Sequence, residues 1–186
     1  MPYAPLASDF SGMYNKYKRN PKEDFPMPMN DDGKYGYLFM QDLKLPATHE
    51  KSQASYKRFG ERVHWVDGNN IPGAFQMNTC WWYKANREST LANPDSPVGK
   101  PHFHEYPEIL GFYGSDPFHP WDLGGEVEFW VDGEQHILTK STMVYLPPNL
   151  PHCPLLINRA DAPIFHFSVV MNAIYGFEGN GSFRAE

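Results

Sequence analysis

A chain of 186 residues with 41% hydrophobic side chains is long enough for one domain with a substantial core. Its net charge of -6 argues against nucleic acid or an anionic membrane as the main partner, because neither would meet a basic surface. There is no run of about 18 apolar residues to predict a membrane span, and the residues after Met1 do not predict a secretory leader. With two cysteines and no disulfide framework, we expect a cytoplasmic protein with reduced thiols.

The aromatic content of 16%, with 18 prolines and 15 glycines, indicates short strands and tight turns rather than long helices. The polar residues 1–34 are interpreted as an N-terminal arm, with room for a short helix at 9–18. The arm either wraps the body, reaches across a dimer or forms a disordered tail. We expect residues 35–175 to form the barrel and residues 176–186 to form a loose tail.

Runs of β-branched and aromatic residues predict a series of short strands. Glu126 to Val131 alternates strictly between polar and apolar residues, and Asp132-Gly133 then marks a hairpin turn. Residues 86–100 are expected to form a loop, and residues 114–121 a loop insertion. The expected strands are 35–40, 62–66, 74–84, 102–112 with an interruption at Pro107, 126–131, 135–139, 143–146, 155–158 and 163–170. This pattern predicts an all-β antiparallel sandwich or barrel.

The stretch His102-Phe103-His104-Glu105-Tyr106-Pro107-Glu108 carries the strongest chemical signal. In an extended strand, residues of equal parity point to one face, so His102, His104 and Glu108 can converge on one point. A third imidazole, His152, follows the proline-rich segment 147–151. Three imidazoles and one carboxylate suit one divalent transition metal (iron, manganese, nickel, zinc, cobalt or copper) and leave coordination positions for a substrate.

The segment 99–158 resembles the two sequence motifs of the cupins, which are small double-stranded β-helix barrels. His102, His104 and Glu108 match the first motif, and Gly125 can serve as its hairpin glycine after the insertion. Pro147 and His152 match the second motif. Asn149 stands in a glycine position, and this exchange is mild because asparagine tolerates left-handed backbone. The chain departs from the motifs at Ser96, Ser141 and Asn158.

This resemblance implies a cupin-type jelly-roll barrel with His102, His104, Glu108 and His152 as the metal ligands. It also implies a homodimer, since cupins commonly associate through arms or sheet faces. It is nearly silent on the reaction, because cupins include dioxygenases, isomerases, decarboxylases, lyases, sugar-binding proteins and storage proteins.

The leading functional hypothesis is a metal-dependent enzyme acting on a small organic molecule that chelates the metal. Oxygen-dependent oxidation is the first expectation, and a lyase, isomerase or decarboxylase comes next. Proton transfer would fall to Tyr106, which shares strand parity with the ligands, or to His166, whose other interpretation is a packed structural histidine. The alternatives are a non-catalytic small-molecule-binding cupin and a structural or storage cupin.

Several other residues receive structural interpretations. Glu126 and Glu128 lie opposite an apolar face and are expected to be exposed rather than ligating. Cys153 should point away from its neighbour His152 by strand alternation and act as a small buried apolar group. Trp82 should face opposite to its two aromatic neighbours. His136 and the loop containing His119 and Trp121 are expected to be solvated.

Overall fold

The computed structural model describes residues 35–46, 53, 56–93 and 96–173. Antiparallel strands dominate this part of the chain, so the predicted all-β fold is confirmed. A short 3-10 helix covers Gly36–Leu38 and another covers Pro97–Gly99. The remaining elements are β1 (Gly60–Val66), β2 (Gln76–Trp82), α1 (Arg87–Leu91), β3 (Glu108–Gly114), β4 (Asp122–Val131), β5 (Glu134–Lys140), β6 (Thr142–Leu146), β7 (His152–Ala160) and β8 (Ile164–Val170).

The strands form two sheets whose order is that of a jelly roll. The five-stranded sheet runs β1-β2-β8-β3-β6 and the three-stranded sheet runs β5-β4-β7. Beyond β7, the second sheet continues only as an isolated antiparallel bridge between His102 and His152. In an eight-stranded jelly roll each sheet has four strands, and this bridge lies at the position of the fourth strand of the smaller sheet. The predicted jelly-roll barrel is therefore confirmed, with one strand reduced to a single residue pair.

The core lies between the two sheets. Along β8 the burial alternates, with Ile164, His166, Ser168 and Val170 buried and the intervening residues half-buried, as expected for a strand with one inward face. Phe112 of the large sheet and Phe129 of the small sheet meet across the interior with ring centroids 6.4 Å apart. Because buried apolar area contributes about 25 cal/mol per Å², this contact between the sheets helps to hold the barrel closed.

Three segments differ from the predicted elements. Residues 35–40 hold the 3-10 helix Gly36–Leu38 rather than a strand. The expected loop 86–100 contains α1, which Asn86 precedes. The expected single strand 102–112 is divided, because Pro107 has no N–H for the ladder and β3 begins only at Glu108.

The other described strands lie within a few residues of their predicted positions. Asp132 and Gly133 both have positive φ, 48° and 82°, as the predicted hairpin between β4 and β5 requires. The proposed arm 1–34, with its helix at 9–18, and the tail 176–186 lie outside the described residues. No helix in the described part of the chain has the length and apolar character needed to cross a membrane.

Candidate metal centre

His102 and His152 face each other across their isolated bridge. The backbone N–H of each donates to the carbonyl oxygen of the other, at 3.0 Å and 2.9 Å. The ring Nδ1 of His102 lies 3.1 Å from the carbonyl oxygen of Lys100, and that of His152 lies 3.0 Å from the carbonyl oxygen of Leu150. A carbonyl oxygen can only accept, so each Nδ1 carries the proton and each Nε2 presents a lone pair. This is the usual tautomer of a metal-binding histidine.

His104 and Glu108 complete the cluster from the other side of the Pro107 corner. The Oε2 atom of Glu108 lies 3.5 Å from Nε2 of His104 and 3.4 Å from Nε2 of His152. Two ligands that each lie about 2.1 Å from one metal are separated by roughly 3.0 to 3.4 Å, depending on their angle. The separations in this cluster therefore fit ligands of a common ion. The donor set of nitrogen and carboxylate oxygen suits a borderline divalent metal.

The four predicted ligands are buried and close together. The His102 and His152 ring centroids are 4.5 Å apart, and His104 lies 5.2 Å from each of them. The predicted reason for this convergence, equal parity along one strand, is wrong. His102 belongs to the bridge beside the small sheet and Glu108 begins β3 in the large sheet. The side chains meet because the chain crosses from one sheet to the other at Pro107.

The turn before His152 has the backbone that the second motif requires. Asn149 has φ of 64°, so it occupies the left-handed conformation expected of a residue in a glycine position. Its backbone N–H donates to the carbonyl oxygen of His104 at 2.7 Å. The turn therefore connects the segment that carries His152 to the segment that carries His104.

A cavity of about 280 Å³ adjoins the cluster inside the barrel. His102, Glu108 and His152 lie in its wall together with apolar side chains such as Trp82, Leu110 and Phe129. Arg62 also lines the cavity, with its guanidinium carbon 4.0 Å from the ring centre of Tyr56. A concave, mostly apolar space beside a few convergent polar groups is the usual form of a small-molecule site.

No family model and no curated protein matches the chain. Among solved structures, it is similar to oxalate oxidase in complex with the substrate analogue glycolate, at 16% identity and a TM-score of 0.44, covering 82% of this chain and 67% of that one. It is also similar to the cysteine peptidase Peruvianin-I from Thevetia peruviana, at 12% identity and 0.42, covering 66% and 68%. A third is described as a predicted oxalate decarboxylase from Thermotoga maritima, at 15% identity and 0.39, covering 60% and 78%.

The fold is the jelly roll that the resemblance to the cupins implies. The two-sheet strand order and the bridge between His102 and His152 give this result.

Cys153 lines the cavity, contrary to the prediction that it points away from the cluster. Its φ of 78° breaks the alternation of the strand, so its side chain lies on the same side as that of His152. The ligand atoms of His102, His152 and Cys153 all lie within 4.8 Å of one another. Burial, with a smaller contribution from the charge of Glu108, raises the pKa of the Cys153 thiol well above its ordinary value. A soft donor that sequence reasoning missed is therefore available beside the predicted ligands.

His166 is buried in the wall of the cavity on β8. Its ring stacks on Trp82 at 4.3 Å and on Phe112 at 4.9 Å, and its Nδ1 lies 2.9 Å from the carbonyl oxygen of Gly111. Burial lowers the pKa of His166 to about 3. The ring is therefore neutral near pH 7, with Nδ1 donating to Gly111 and Nε2 left as an acceptor.

Tyr106 is half-buried and packs against a ligand rather than into the cavity. Its ring stacks on the ring of His104 at 5.4 Å, with only 8° between the two planes. This contact limits rotation of the His104 ring. The position suits a residue that holds a ligand in place better than one that transfers a proton to a substrate.

Glu128 is buried, which corrects the prediction that it is exposed. It lies opposite the inward-facing Val127 and Phe129, and Arg87 of α1 forms an ion pair with it over the outer face of β4. The Nε1 of Trp130 and the Nδ2 of Asn158 also donate to the carboxylate, at 2.7 Å and 3.2 Å. Burial alone would raise the pKa of Glu128, but these hydrogen bonds and the Arg87 contact hold that pKa below its ordinary value.

Glu126 is half-buried rather than exposed as predicted, and it accepts a hydrogen bond from Asn158 at 3.0 Å, on the side of β4 away from the ligand cluster. The predictions for Trp82, His136, His119 and Trp121 are confirmed. Trp82 is buried, whereas Trp81 and Tyr83 are exposed. The solvated residues include His136, His119, which pairs with Asp116, and Trp121.

Proposed function

We propose that this protein is a divalent-metal-dependent enzyme that acts on a small organic acid or enol able to chelate the metal. His102, His104, Glu108 and His152 would hold the metal. The observation that carries the proposal is the convergence of two imidazole Nε2 atoms on one carboxylate oxygen, at 3.4 Å and 3.5 Å, beside a cavity of about 280 Å³.

The chain's own residues would prepare this site in two ways. The carbonyl oxygens of Lys100 and Leu150 fix the tautomers of His102 and His152. The apolar cavity wall excludes water from the bound substrate. A divalent metal on these ligands supplies a Lewis acid and a template for a carboxylate, enolate or hydroxyl oxygen. Because four side chains bind, an octahedral ion keeps two positions for exchangeable ligands.

Among reactions, we propose oxygen-dependent oxidation first and a lyase, isomerase or decarboxylase reaction second. The three-histidine, one-carboxylate set with open positions supports the first choice, as does the aromatic cavity wall. The second choice needs a proton-transfer group. His166 in the cavity wall is the better-placed candidate, and Tyr106, which stacks on the ligand His104, is the second. His166 lies in the cavity wall and, being neutral at pH 7, could accept a proton but would have none on Nε2 to give.

The alternative is a non-catalytic cupin that binds a small molecule on the metal. The observation that favours it is the low pKa of His166, about 3, which makes this ring a weak base at neutral pH. Saturable binding of chelating acids without turnover under oxygen would favour this alternative.

We further propose a cytoplasmic homodimer. Two buried, free thiols, Cys80 and Cys153, are consistent with a reducing compartment. Met143 and Tyr145 on the edge strand β6 are 60% and 61% exposed on the outer face of the large sheet, and a second copy would cover them. Tyr145→Lys should then shift the sedimentation coefficient towards the monomer, whereas His136→Lys on β5 should leave it unchanged.

The test of the function begins with metal analysis of protein purified without a chelating resin, where about one first-row metal per chain is expected. The cobalt-loaded protein should then change its visible spectrum when glycolate or catechol replaces water on the metal. A spectrum that is indifferent to every chelator would refute an open metal site. If binding occurs, oxygen consumption with catechol-like and β-dicarbonyl substrates separates the enzyme from the binder.

A further inference from the structure

The interior face of the large sheet is arranged in rows that run across the strands. Gln76 of β2 and Glu108 of β3 both pair with Val170 of β8, so they share one row. Asn78 and Ser168 are directly paired in the next row. With adjacent strands about 4.8 Å apart, the Cα atoms of Gln76 and Glu108 are separated by about 10 Å. All four polar residues line the cavity, so a molecule bound at Glu108 would lie before the wall formed by Gln76 and Asn78.

This wall contains acceptor atoms whose hydrogen-bonding capacity is unused. Gln76 is 1% exposed, and its Oε1 has no hydrogen-bond partner among the described residues. The Oδ1 of Asn78 is likewise buried without a partner within that part of the chain, although its Nδ2 donates to the Oγ of Ser168 at 2.9 Å. A buried acceptor without a partner costs about 1–3 kcal/mol. Each such atom in a native structure calls for an explanation, and a bound water, ion or ligand that donates to it is one.

A third acceptor lies in the row beyond. His166 pairs with Cys80 in the register, and its Nδ1 proton is used by the carbonyl oxygen of Gly111. In a neutral ring the other nitrogen, Nε2, can then only accept. The wall beside Glu108 on the large sheet therefore contains two amide oxygens and an imidazole lone pair, with the Ser168 hydroxyl next to them.

We propose that Gln76, Asn78 and His166 form a substrate subsite that binds hydrogen-bond donors, namely hydroxyl or amino groups on the carbons beyond the metal-chelating end of the substrate. This proposal rests on the proposed function, because it takes the chelating end to lie at Glu108. The substrate class is thus a hydroxy acid or related chelator that carries further hydroxyl or amino groups, rather than a plain hydrocarbon tail.

The separation of about 10 Å between the backbones that carry Glu108 and Gln76 sets the size of this substrate. Both side chains project from the same face of the sheet, so a ligand chain of about four carbons, lying along that face, spans the interval from the metal to the amide oxygens. The wall would also discriminate strongly. A ligand with an apolar tail would leave the acceptors unpaired, and this is how buried polar sites reject analogues that lack a donor.

The test compares acids that share the same chelating end and the same four-carbon length. 2-Hydroxybutyrate has an apolar tail, threonate and its epimer erythronate add hydroxyl groups, and 4-amino-2-hydroxybutyrate adds an amino group. Affinities are measured by titration of the cobalt-loaded protein in the visible spectrum and by calorimetry. We expect at least one donor-bearing acid to bind about tenfold or more tightly than 2-hydroxybutyrate, and the arm that responds identifies hydroxyl or amino as the group.

Two substitutions then assign the preference to the wall. Gln76→Leu and Asn78→Leu remove the acceptors at similar volume and should reduce the preference to about twofold or less. Because they also remove unpaired buried oxygens, we expect the melting temperature of the ligand-free protein to stay the same or rise. Thr79→Val, on the same strand with its side chain on the other face, should leave the preference unchanged.

The outcomes separate this inference from the proposed function. Equal affinity for all the acids in the wild-type protein would overturn the subsite and leave the metal site standing. A preference that survives both leucine substitutions would overturn the assignment to Gln76 and Asn78. No response to any acid would refute the open metal site and the subsite together.

Discussion

The two walls of the barrel cavity hold their polar side chains in different ways. At the metal end, backbone carbonyl oxygens fix the tautomers of His102 and His152, and Glu108 lies within 3.5 Å of two imidazole nitrogens. On the acceptor wall, which β2 and β8 form beside Glu108, the amide oxygens of Gln76 and Asn78 have no partner among the residues described. The difference indicates that the first wall is organised before anything binds, whereas the second is completed by what binds.

The largest effect is expected at the metal end. His152→Ala or His104→Ala should lower metal affinity more than about a hundredfold, because loss of a ligand costs more than loss of its outer hydrogen-bond partner, which costs 10- to 100-fold. Metal content after dialysis against a range of buffered metal concentrations measures this. Because bound metal stabilises only the folded state, a chelator should lower the melting temperature of the wild-type protein and not that of the variants.

The exposed His136 provides the matched control for this experiment, since it lies on β5 away from the cluster. His136→Ala should retain full metal content. Normal metal content in a His104→Ala/His152→Ala double variant would show that the metal lies elsewhere, and the contrast between the two walls would lose its basis.

These two walls were not equally predictable from sequence. The His-x-His pair, the following glutamate and His152 carry a spacing signal. The structure places the ligand atoms of His104, Glu108 and His152 within 4.8 Å of one another, and the His102 ring lies beside that of His152. The amides of Gln76 and Asn78 lie on β2, and glutamine and asparagine have no spacing that marks them as binding residues. Only the register across β8 shows that Gln76 shares a row with Glu108.

Other errors have local physical causes. The parity argument treated 102–112 as one strand, whereas Pro107 turns the chain from one sheet to the other. Cys153 was assigned to the wrong side because its positive φ interrupts strand alternation. The burial of Glu128 depends on α1, a short helix whose segment has no clear periodicity in the sequence.

The second prediction concerns pH and the acceptor wall. Burial lowers the pKa of His166 to about 3, whereas an unfolded histidine titrates near 6.5. Below about pH 6.5 the unfolded chain takes up a proton that the folded protein does not. The free energy of unfolding should therefore fall by up to about 1.4 kcal/mol per pH unit as the pH decreases towards 3, from this residue alone.

Urea denaturation of metal-free protein at pH 7, 5.5 and 4.5 measures this slope. His166→Phe removes the hydrogen bond to Gly111, so it should lower the free energy of unfolding at pH 7. The slope of the free energy of unfolding against pH should become shallower between pH 6.5 and 4.5. His136→Gln should keep the wild-type slope. If His166→Phe also keeps the wild-type slope, His166 is not the neutral acceptor that the acceptor wall requires.

The third prediction uses a buried carboxylate that already has its partners. Glu128→Gln should lower the free energy of unfolding by about 1–2 kcal/mol, because its hydrogen bonds are charge-assisted but Arg87 is partly solvated. Glu126→Gln should change it by less than about 0.5 kcal/mol. The pKa of Glu128 is lowered, so its contribution is present above about pH 4.3 and is lost as the pH falls further.

The loss of stability from Glu128 begins near about pH 4.3, whereas that from His166 begins near about pH 6.5. Measuring the free energy of unfolding against pH therefore separates the two residues. Metal content should be the same in both glutamate variants, since their side chains face away from the cluster. A drop in metal content in Glu128→Gln without loss of stability would mean that the outer face of β4 is energetically coupled to metal binding.

The smallest effect is expected at the turn that joins the two histidine segments. Asn149 has φ of 64°, a conformation that costs a residue with a Cβ roughly 1–2 kcal/mol but that glycine adopts freely. Asn149→Ala should therefore lower the free energy of unfolding by about 1 kcal/mol, while Asn149→Gly should leave it within a few tenths. Both variants keep the backbone N–H that donates to the carbonyl oxygen of His104. We therefore expect metal affinity to change little, even where the free energy of unfolding falls. Chemical denaturation of the pair, with metal affinity measured in parallel, checks both statements. If glycine costs as much as alanine, the asparagine side chain itself holds the turn, and the preorganisation of the metal end depends on more than its backbone.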